Sequence, residues 1–107
     1  MIDYILPMAG NTACVIASDS HPSSDLARIS FWIVRTGVDL TGTTIFDFNT
    51  FVHSDDCAAW NEAVEILEQV ARRVASYKET HPKGLDYLDR AYLYIDDAKP
   101  ELDKLCI

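Results

Sequence analysis

The hydrophobic residues of this chain change their spacing near residue 54. Before that point they form short runs, one of which alternates at residues 43–52, whereas from Asp55 to about Thr80 they recur at spacings of three and four. A period of two is typical of strands with one buried face, and a period near 3.6 is typical of an amphipathic helix. The sequence therefore predicts an α+β fold: a small, mainly antiparallel sheet of three to four strands, packed against one long helix and a shorter C-terminal helix.

Three strands are predicted at residues 13–17, 29–35 and 43–52, and residues 2–6 are a candidate fourth strand that ends at Pro7. In the run 43–52, Phe46, Phe48 and Val52 share one face, as expected for a sheet with one covered side. Residues 36–42 contain two glycines and suit the loop of a hairpin, so the strands on either side are predicted to be antiparallel. The segment 19–25, which includes Pro22, is predicted to be a surface loop.

The first helix is predicted to begin near Asp55 with Ser54 as its N-cap, and to end at the sequence His-Pro-Lys-Gly of residues 81–84. Its apolar stripe consists of Cys57, Trp60, Val64, Leu67, Ala71 and Val74. Each of these residues follows the previous one by three or four positions, which places them along one side of a helix.

The second helix is predicted to bury Leu85, Leu88, Tyr92 and Ile95. Pro100 predicts a break near Lys99 and then a short terminal turn, because the residue before a proline is pushed out of helical geometry. Residues 91–95 also have good β propensity, so an edge strand is an alternative for that segment.

Length and composition favour a single globular domain over residues 1–107. The chain is 49% apolar and 24% charged, and no apolar run approaches the roughly 20 residues that span a bilayer. The first basic residue is Arg28, so the amino terminus lacks the charge of a secretory signal and a cytoplasmic location is predicted. Cys14, Cys57 and Cys106 show no paired spacing, so no disulfide is expected and the first two are predicted to be small core residues.

The charge of the chain indicates what it avoids and what it attracts. Seventeen Asp and Glu stand against nine Lys and Arg, which gives a formal net charge of -8, and twelve of the carboxylates follow residue 54. A negative field of this kind repels nucleic acid and membrane surfaces and attracts basic protein surfaces. The predicted partner is therefore a protein with a basic surface, without direct contact to nucleic acid or membrane.

The candidate partner-binding residues are acids that project from the two helices away from their apolar stripes, together with one tryptophan. They are Glu62, Glu65, Glu68, Asp86, Asp89, Asp96, Asp97 and Trp32. If the helices are antiparallel neighbours, these acids are expected to form one broad face. Trp32, Tyr87 and Tyr92 are candidate aromatic anchors.

Both faces of the second predicted strand are apolar, since Phe31 and Ile33 lie on one side and Trp32 and Val34 on the other. Either a further layer covers the second face or a partner does. This pattern favours an interaction surface or self-association, so a homo-oligomer is also among the predictions.

No catalytic signature is present in the sequence. It lacks a G-x-S-x-G elbow, a glycine-rich phosphate loop and an H-E-x-x-H pair, so neither enzymatic activity nor a cofactor is predicted. His53, Asp55 and Asp56 are weak candidates for metal ligands, because a zinc site needs distant ligands as well and only Asp19 and His21 offer them. Helix capping explains the same acids more simply.

These observations predict a small, acidic, non-catalytic protein-binding module. Its specific form is an inhibitor that blocks a basic nucleic-acid-binding protein, in the manner of phage-encoded antagonists of host defence systems. An immunity protein for a basic toxin nuclease is the first alternative. A self-assembling structural protein and a small metal-dependent hydrolase are further alternatives.

Overall fold

The computed structural model of this protein describes residues 1–20, 23–36 and 42–105. Over these ranges the chain forms four strands and then two helices, in the order β1 (Ile2–Met8), β2 (Thr12–Ser20), β3 (Leu26–Thr36), β4 (Gly42–His53), α1 (Cys57–Thr80) and α2 (Asp86–Leu105). The predicted α+β class, with strands before residue 54 and helices after it, is confirmed. Pro22, Cys106 and most of the predicted hairpin loop at 36–42 lie outside the described residues.

The four strands pair in sequence order, and each pair is antiparallel. The sheet is therefore a meander in which β1 and β4 are the edge strands. β1 continues through Pro7, which lies opposite Ala13, and ends at Met8, so the predicted end at Pro7 is wrong. An edge strand tolerates proline because one side of it has no neighbouring strand that needs an N–H donor.

The three residues Ala9, Gly10 and Asn11 join β1 to β2, since Met8 lies opposite Thr12. Gly10 and Asn11 have φ angles of 76° and 58°, in the left-handed region that glycine and asparagine adopt more readily than other residues. The Thr12 hydroxyl donates a hydrogen bond of 2.7 Å to the Ala9 carbonyl oxygen and holds the end of the turn. The Gly-Asn pair is a sequence signal for such a turn, although no hairpin was predicted from it.

One face of the sheet carries the hydrophobic core. The fully buried strand residues are Cys14, Ile16, Ala27, Ile29, Phe31 and Ile33, and Ala63, Leu67, Ala71 and Val74 of α1 are equally buried against them. Phe46, Phe48 and Val52 of β4 face the same side, as predicted, since they lie opposite core residues of β3. Every second residue of the strands thus lies on one face of the sheet and packs against the apolar sides of both helices.

α1 begins at Cys57, and its N-cap is Asp56. The Asp56 carboxylate accepts a hydrogen bond of 3.0 Å from the Ala59 backbone N–H. Ser54 instead donates its backbone N–H to the Asp25 carbonyl oxygen at 2.8 Å, which extends the strand end rather than the helix. The predicted Ser54 cap and the start near Asp55 are therefore wrong.

The predicted apolar stripe of α1 is buried in its second half, and Trp60 and Val64 are half-buried. Leu67, Ala71 and Val74 are buried, whereas Cys57 is exposed because it occupies the first helical position, before burial begins at Ala59. The prediction of Cys57 as a core residue is wrong. The helix ends at Thr80, as predicted, and the His81 backbone N–H donates to the Tyr77 carbonyl oxygen at 2.9 Å.

α2 runs without a break through Pro100 to Leu105, so the predicted break near Lys99 is wrong, and so is the alternative of an edge strand at 91–95. Pro100 and Asp96, whose carbonyl oxygen loses its usual N–H partner, are both exposed to solvent. Leu102 is 1% exposed. Burial of Leu102 holds the last turns against the core despite the proline.

The buried side of α2 is rotated relative to the prediction. Ile95 is buried and Leu88 is half-buried, but Leu85 precedes the helix and is exposed, and Tyr92 is 62% exposed. Tyr87, Ala91, Ile95 and Leu102 form the buried set. The exposed Tyr92 ring still contacts Phe46 at the edge of the sheet, with 4.7 Å between the ring centroids.

The cap assignment leads to the first testable prediction. Replacement Asp56→Ala removes the acceptor for the Ala59 N–H and is expected to lower the free energy of unfolding by about 1 kcal/mol. Ser54→Ala serves as the control, because its side chain does not cap α1 and its loss should cost a few tenths of that value. Urea unfolding followed by circular dichroism measures both, and an equal effect of the two substitutions would contradict the assignment.

Candidate functional site

The two helices carry ten of the seventeen carboxylates, and the helices lie together on one side of the sheet. They run antiparallel: Tyr77 near the end of α1 contacts Arg90 near the start of α2, while Ile66 of α1 and Glu101 of α2 border one cleft. The side of the helices that faces away from the sheet is called the helical surface below. Seven of the eight predicted partner-binding residues lie in this layer.

Three of these seven acids have a cationic partner. Glu68 lies 3.7 Å from Arg72, Asp97 lies 3.8 Å from Arg73, and Asp96 lies 3.6 Å from Lys99. Ion pairs of this kind at the surface contribute about 0 to 1 kcal/mol, because water screens them and the long side chains lose entropy. A strongly basic partner can therefore replace these contacts at little cost, but their negative charge is partly offset.

The other four acids are exposed, and none of them has an ion pair with the residues that the structure describes. Glu62 and Glu65 lie one turn apart in the first half of α1, whereas Asp86 and Asp89 lie in the first turn of α2. Since α2 starts beside the end of α1, the two pairs are separated by roughly 20 Å at 1.5 Å per helical residue. The structure does not bring the seven acids together in one broad face.

Between the two acidic ends the helical surface carries stacked cations and aromatic rings. Arg73 lies 3.9 Å from the centroid of the Tyr94 ring, and Arg90 lies 4.8 Å from that of Tyr77. The His81 ring stacks on Tyr77, with 4.1 Å between centroids. An open cleft of about 450 Å³ here is lined by Arg72, Arg73, Ser76, Tyr77, Thr80 and Tyr94.

This cluster is not among the sites predicted from the sequence. The sequence pattern that corresponds to it is a spacing of four residues between Arg73 and Tyr77 and between Arg90 and Tyr94. This spacing places each pair on one side of its helix. Pairing the two helices in opposite directions then brings each arginine over the tyrosine of the other helix. That contact depends on the register of the helix pair, which the sequence does not show.

Trp32 lies on the opposite side of the molecule from the acids. Its neighbours across the sheet are Val15 on β2 and Asp47 on β4, and the register places all three on the face that points away from the helices. We call this side the outer face. Of the other two candidate anchors, Tyr92 is exposed on α2, whereas Tyr87 is 2% exposed in the core and unavailable to a partner.

The outer face is apolar over most of its area. Its central residues are Ile5, Ala13, Val15, Ala17, Trp32 and Val34, which neighbour one another across β1, β2 and β3. Ile2, Leu26 and Phe51 lie towards its margins and are 59%, 42% and 41% exposed. No helix or strand of the described residues covers this face. A polar contact crosses it at Ser30, whose hydroxyl donates to the Asn49 side-chain oxygen at 2.6 Å.

The weak metal candidates lie at the junction of β4 and α1. His53 and Asp55 border an open cleft of about 480 Å³ together with Ser24, Asp25 and Ser54. The Asp56 carboxylate caps α1, and Asp19 lies 3.6 Å from Arg28 on the outer face. Across residues 1–20, 23–36 and 42–105, no three His, Cys, Asp or Glu side chains converge as a metal site would require; His21 lies outside these ranges.

A buried group of polarizable side chains lies where the end of α1 meets the β1–β2 turn. Lys78 is 5% exposed, and its Nζ lies 4.1 Å from the centroid of the Tyr87 ring, a cation–π contact that favours the buried charge. The Cys14 thiol donates to the Met8 sulfur at 3.7 Å. Burial raises the pKa of Cys14 to about 12 and also raises the pKa of Tyr87. The Cys14 thiol and the Tyr87 hydroxyl are therefore neutral at physiological pH.

No protein-family model, curated protein or solved structure matches this chain. Within the described ranges, neither helix is long and apolar enough to cross a membrane.

The two described cysteines should differ sharply in reactivity. Only the thiolate is nucleophilic, so buried Cys14 is expected to react with a thiol reagent at least about 100-fold more slowly than exposed Cys57 at pH 8. The rates are measured in Cys106→Ser protein, so that the third thiol does not contribute. In guanidinium, which unfolds the chain, the Cys14 and Cys57 thiols should react equally fast. Equal rates in the native protein would show that Cys14 is accessible.

The same thiol affects stability at alkaline pH. The folded pKa of Cys14 is raised from 9.0 to about 12, so the unfolded chain ionises first as pH rises. Its contribution to stability is complete below pH 9 and is lost between pH 9 and pH 12. Cys14→Ala should reduce the alkaline loss of stability in denaturant titrations over this range, and an unchanged loss would contradict this prediction.

Proposed function

We propose that this protein is a non-catalytic protein-binding module whose helical surface engages a basic surface of another protein. The observation that carries the proposal is the acidic end of α1. Glu62 and Glu65 are exposed there without an ion pair among the described residues, and residues 55–71 contain five carboxylates and no Lys or Arg. A rigid helix holds these charges at fixed spacing.

The opposite end of the helix pair supports the proposal less well. Asp86 and Asp89 are exposed, but Lys83 and Arg90 are close to them in sequence, and the arginine and tyrosine cluster lies between them and Glu65. The proposed binding surface is therefore narrower than the set of acids that the sequence suggested. Glu62 and Glu65 form its centre.

The specific form of the proposal is an inhibitor that occupies the basic cleft of a nucleic-acid-binding protein. Carboxylates on a helix offer such a cleft negative charges in place of phosphates, and the net charge of -8 accelerates the encounter with a positive partner. Charge complementarity governs the association rate and the choice of partner. Exposed apolar and aromatic side chains such as Tyr92 and Leu93 of α2 then contribute to affinity.

The test compares two doubly neutralised variants. Glu62→Gln/Glu65→Gln removes the centre of the proposed surface, and Asp3→Asn/Glu79→Gln is a control with the same change in net charge at two other exposed acids. Each protein is immobilised, exposed to lysate of the native host and of its phages or competitors, and the captured proteins are identified by mass spectrometry. We expect the wild type and the control to capture one and the same basic protein, and the Glu62→Gln/Glu65→Gln variant to lose it.

Kinetics with the purified captured protein complete the test. The association rate should fall by about tenfold or more between roughly 50 mM and 500 mM NaCl, because salt screens the attraction between exposed charges. Equal capture by the two variants, or association that is insensitive to salt, would overturn the proposal. The activity of the captured protein distinguishes an inhibited nucleic-acid-binding protein from a toxin nuclease.

A further inference from the structure

The outer face differs in chemistry from the helical surface. Four large apolar residues on it, Ile2, Ile5, Leu26 and Phe51, are between 41% and 59% exposed. Ile5 lies opposite Val15, which is the neighbour of the half-buried Trp32 on the next strand. Val15 is 8% exposed but belongs to no part of the main core, because it faces away from the helices. Contiguous apolar surface of this kind is uncommon on a monomer that works alone.

The size of the outer face reaches the lower limit of what a specific dimer needs. Four strands at about 4.8 Å spacing and about eight residues at about 3.3 Å each give roughly 500 Å² of projected area. Two copies together therefore bury roughly 1,000 Å² before side-chain relief is added, which reaches the lower limit for a specific interface. The shape is also suitable, since two twisted sheets pack face to face at about 10 Å with their side chains interdigitated.

The distribution of charge favours a second copy over a basic protein at this face. The register places only three charged residues of the described chain on the outer face, and two of them, Asp19 and Arg28, form an ion pair of 3.6 Å. Asp47, beside Trp32 at the β4 edge, is the third. A nearly neutral apolar face offers little to a basic partner and fits another copy of itself.

Packing through this face also keeps the acidic layers apart. The helices of the two copies would lie on the outside of four layers, and at about 10 Å between layers their axes are about 30 Å apart. This distance is several times the Debye length of about 8 Å at physiological ionic strength. The net charge of -8 on each chain therefore does not prevent the association.

We propose that a second copy of this chain covers the outer face, and that the protein is a two-fold symmetric dimer with its two sheets packed together. The same patch serves both subunits, as in other dimers with a two-fold axis. Trp32 and Val15 lie near the centre of the interface, and Ile5 lies towards one edge. This proposal does not depend on the function proposed for the helical surface, because it concerns the opposite side of the molecule.

Sedimentation velocity with a matched pair of substitutions tests the dimer. The wild type should sediment as a species of twice 12.0 kDa at about 100 µM, a concentration that saturates an interface with a low-micromolar dissociation constant. Ile5→Lys places a charge on the outer face and should raise the dissociation constant at least about tenfold. Leu93→Lys is the control, since Leu93 is 53% exposed on α2 and Ile5 is 52% exposed, and it should leave the dimer unchanged. Circular dichroism verifies that both variants are folded.

Tryptophan fluorescence locates the interface without a substitution in it. The chain has two tryptophans, and Trp60→Phe leaves Trp32 as the only reporter. Its emission should shift to shorter wavelength as the protein is concentrated from about 0.1 µM to about 100 µM, because association removes the indole from water. A monomer at 100 µM, equal effects of Ile5→Lys and Leu93→Lys, or a dimer whose Trp32 emission does not change would each overturn the proposal.

Discussion

Burial of one side of the sheet is the interaction on which the rest of this structure depends. The meander contributes Cys14, Ile16, Ile29, Phe31 and Ile33, and both helices bury their apolar sides against that face. A helix that follows the last strand and then turns back through a short connection stays on the side where it began. With no further element in the described chain to cross over, both helices occupy the same face and the other remains open.

This arrangement divides the molecule into two chemically different surfaces. The helices carry acids on the side away from the sheet, whereas the outer face carries apolar residues and almost no net charge. The two surfaces are separated by the full thickness of the core. The proposed recognition by charge and the proposed recognition by apolar packing therefore concern opposite sides of the molecule and can be tested one at a time.

The fold could be predicted well from the sequence because the spacing of apolar residues, near 2 in strands and near 3.6 in helices, directly indicates which residues are buried. Phe46, Phe48 and Val52 alternate on β4, and Leu67, Ala71 and Val74 follow the helical spacing, and in each case the buried side is the predicted one. The errors arise where an interaction distant in sequence decides the outcome. Ser54 is a suitable residue type for an N-cap, but its backbone N–H donates a hydrogen bond to the Asp25 carbonyl oxygen. Asp56 caps α1 instead. At Pro100 the burial of Leu102 outweighs the local cost of proline.

The candidate binding residues were harder to predict than the fold. Their exposure follows from their charge, and the structure leaves six of the seven acids exposed and Glu68 partly covered. Their grouping depends on the register of the helix pair, which separates Glu62 from Asp86 and places Arg73 and Arg90 between them. Trp32 is a candidate because both sides of its strand are apolar, and the same pattern predicts an apolar outer face. It does not predict that the acids lie on the opposite side of the molecule.

The asymmetry between the two sides also bears on how far self-association would proceed. An assembly grows without limit when a molecule offers two complementary patches, and it closes when one patch is its own complement. Of the surfaces formed by the described residues, only the outer face is broadly apolar, and once two copies cover it, the surface that remains is dominated by helices with an excess of carboxylates. Repulsion between these helical layers opposes the addition of a third copy. The charge that is proposed to attract a basic partner would thus also limit the proposed assembly to two chains.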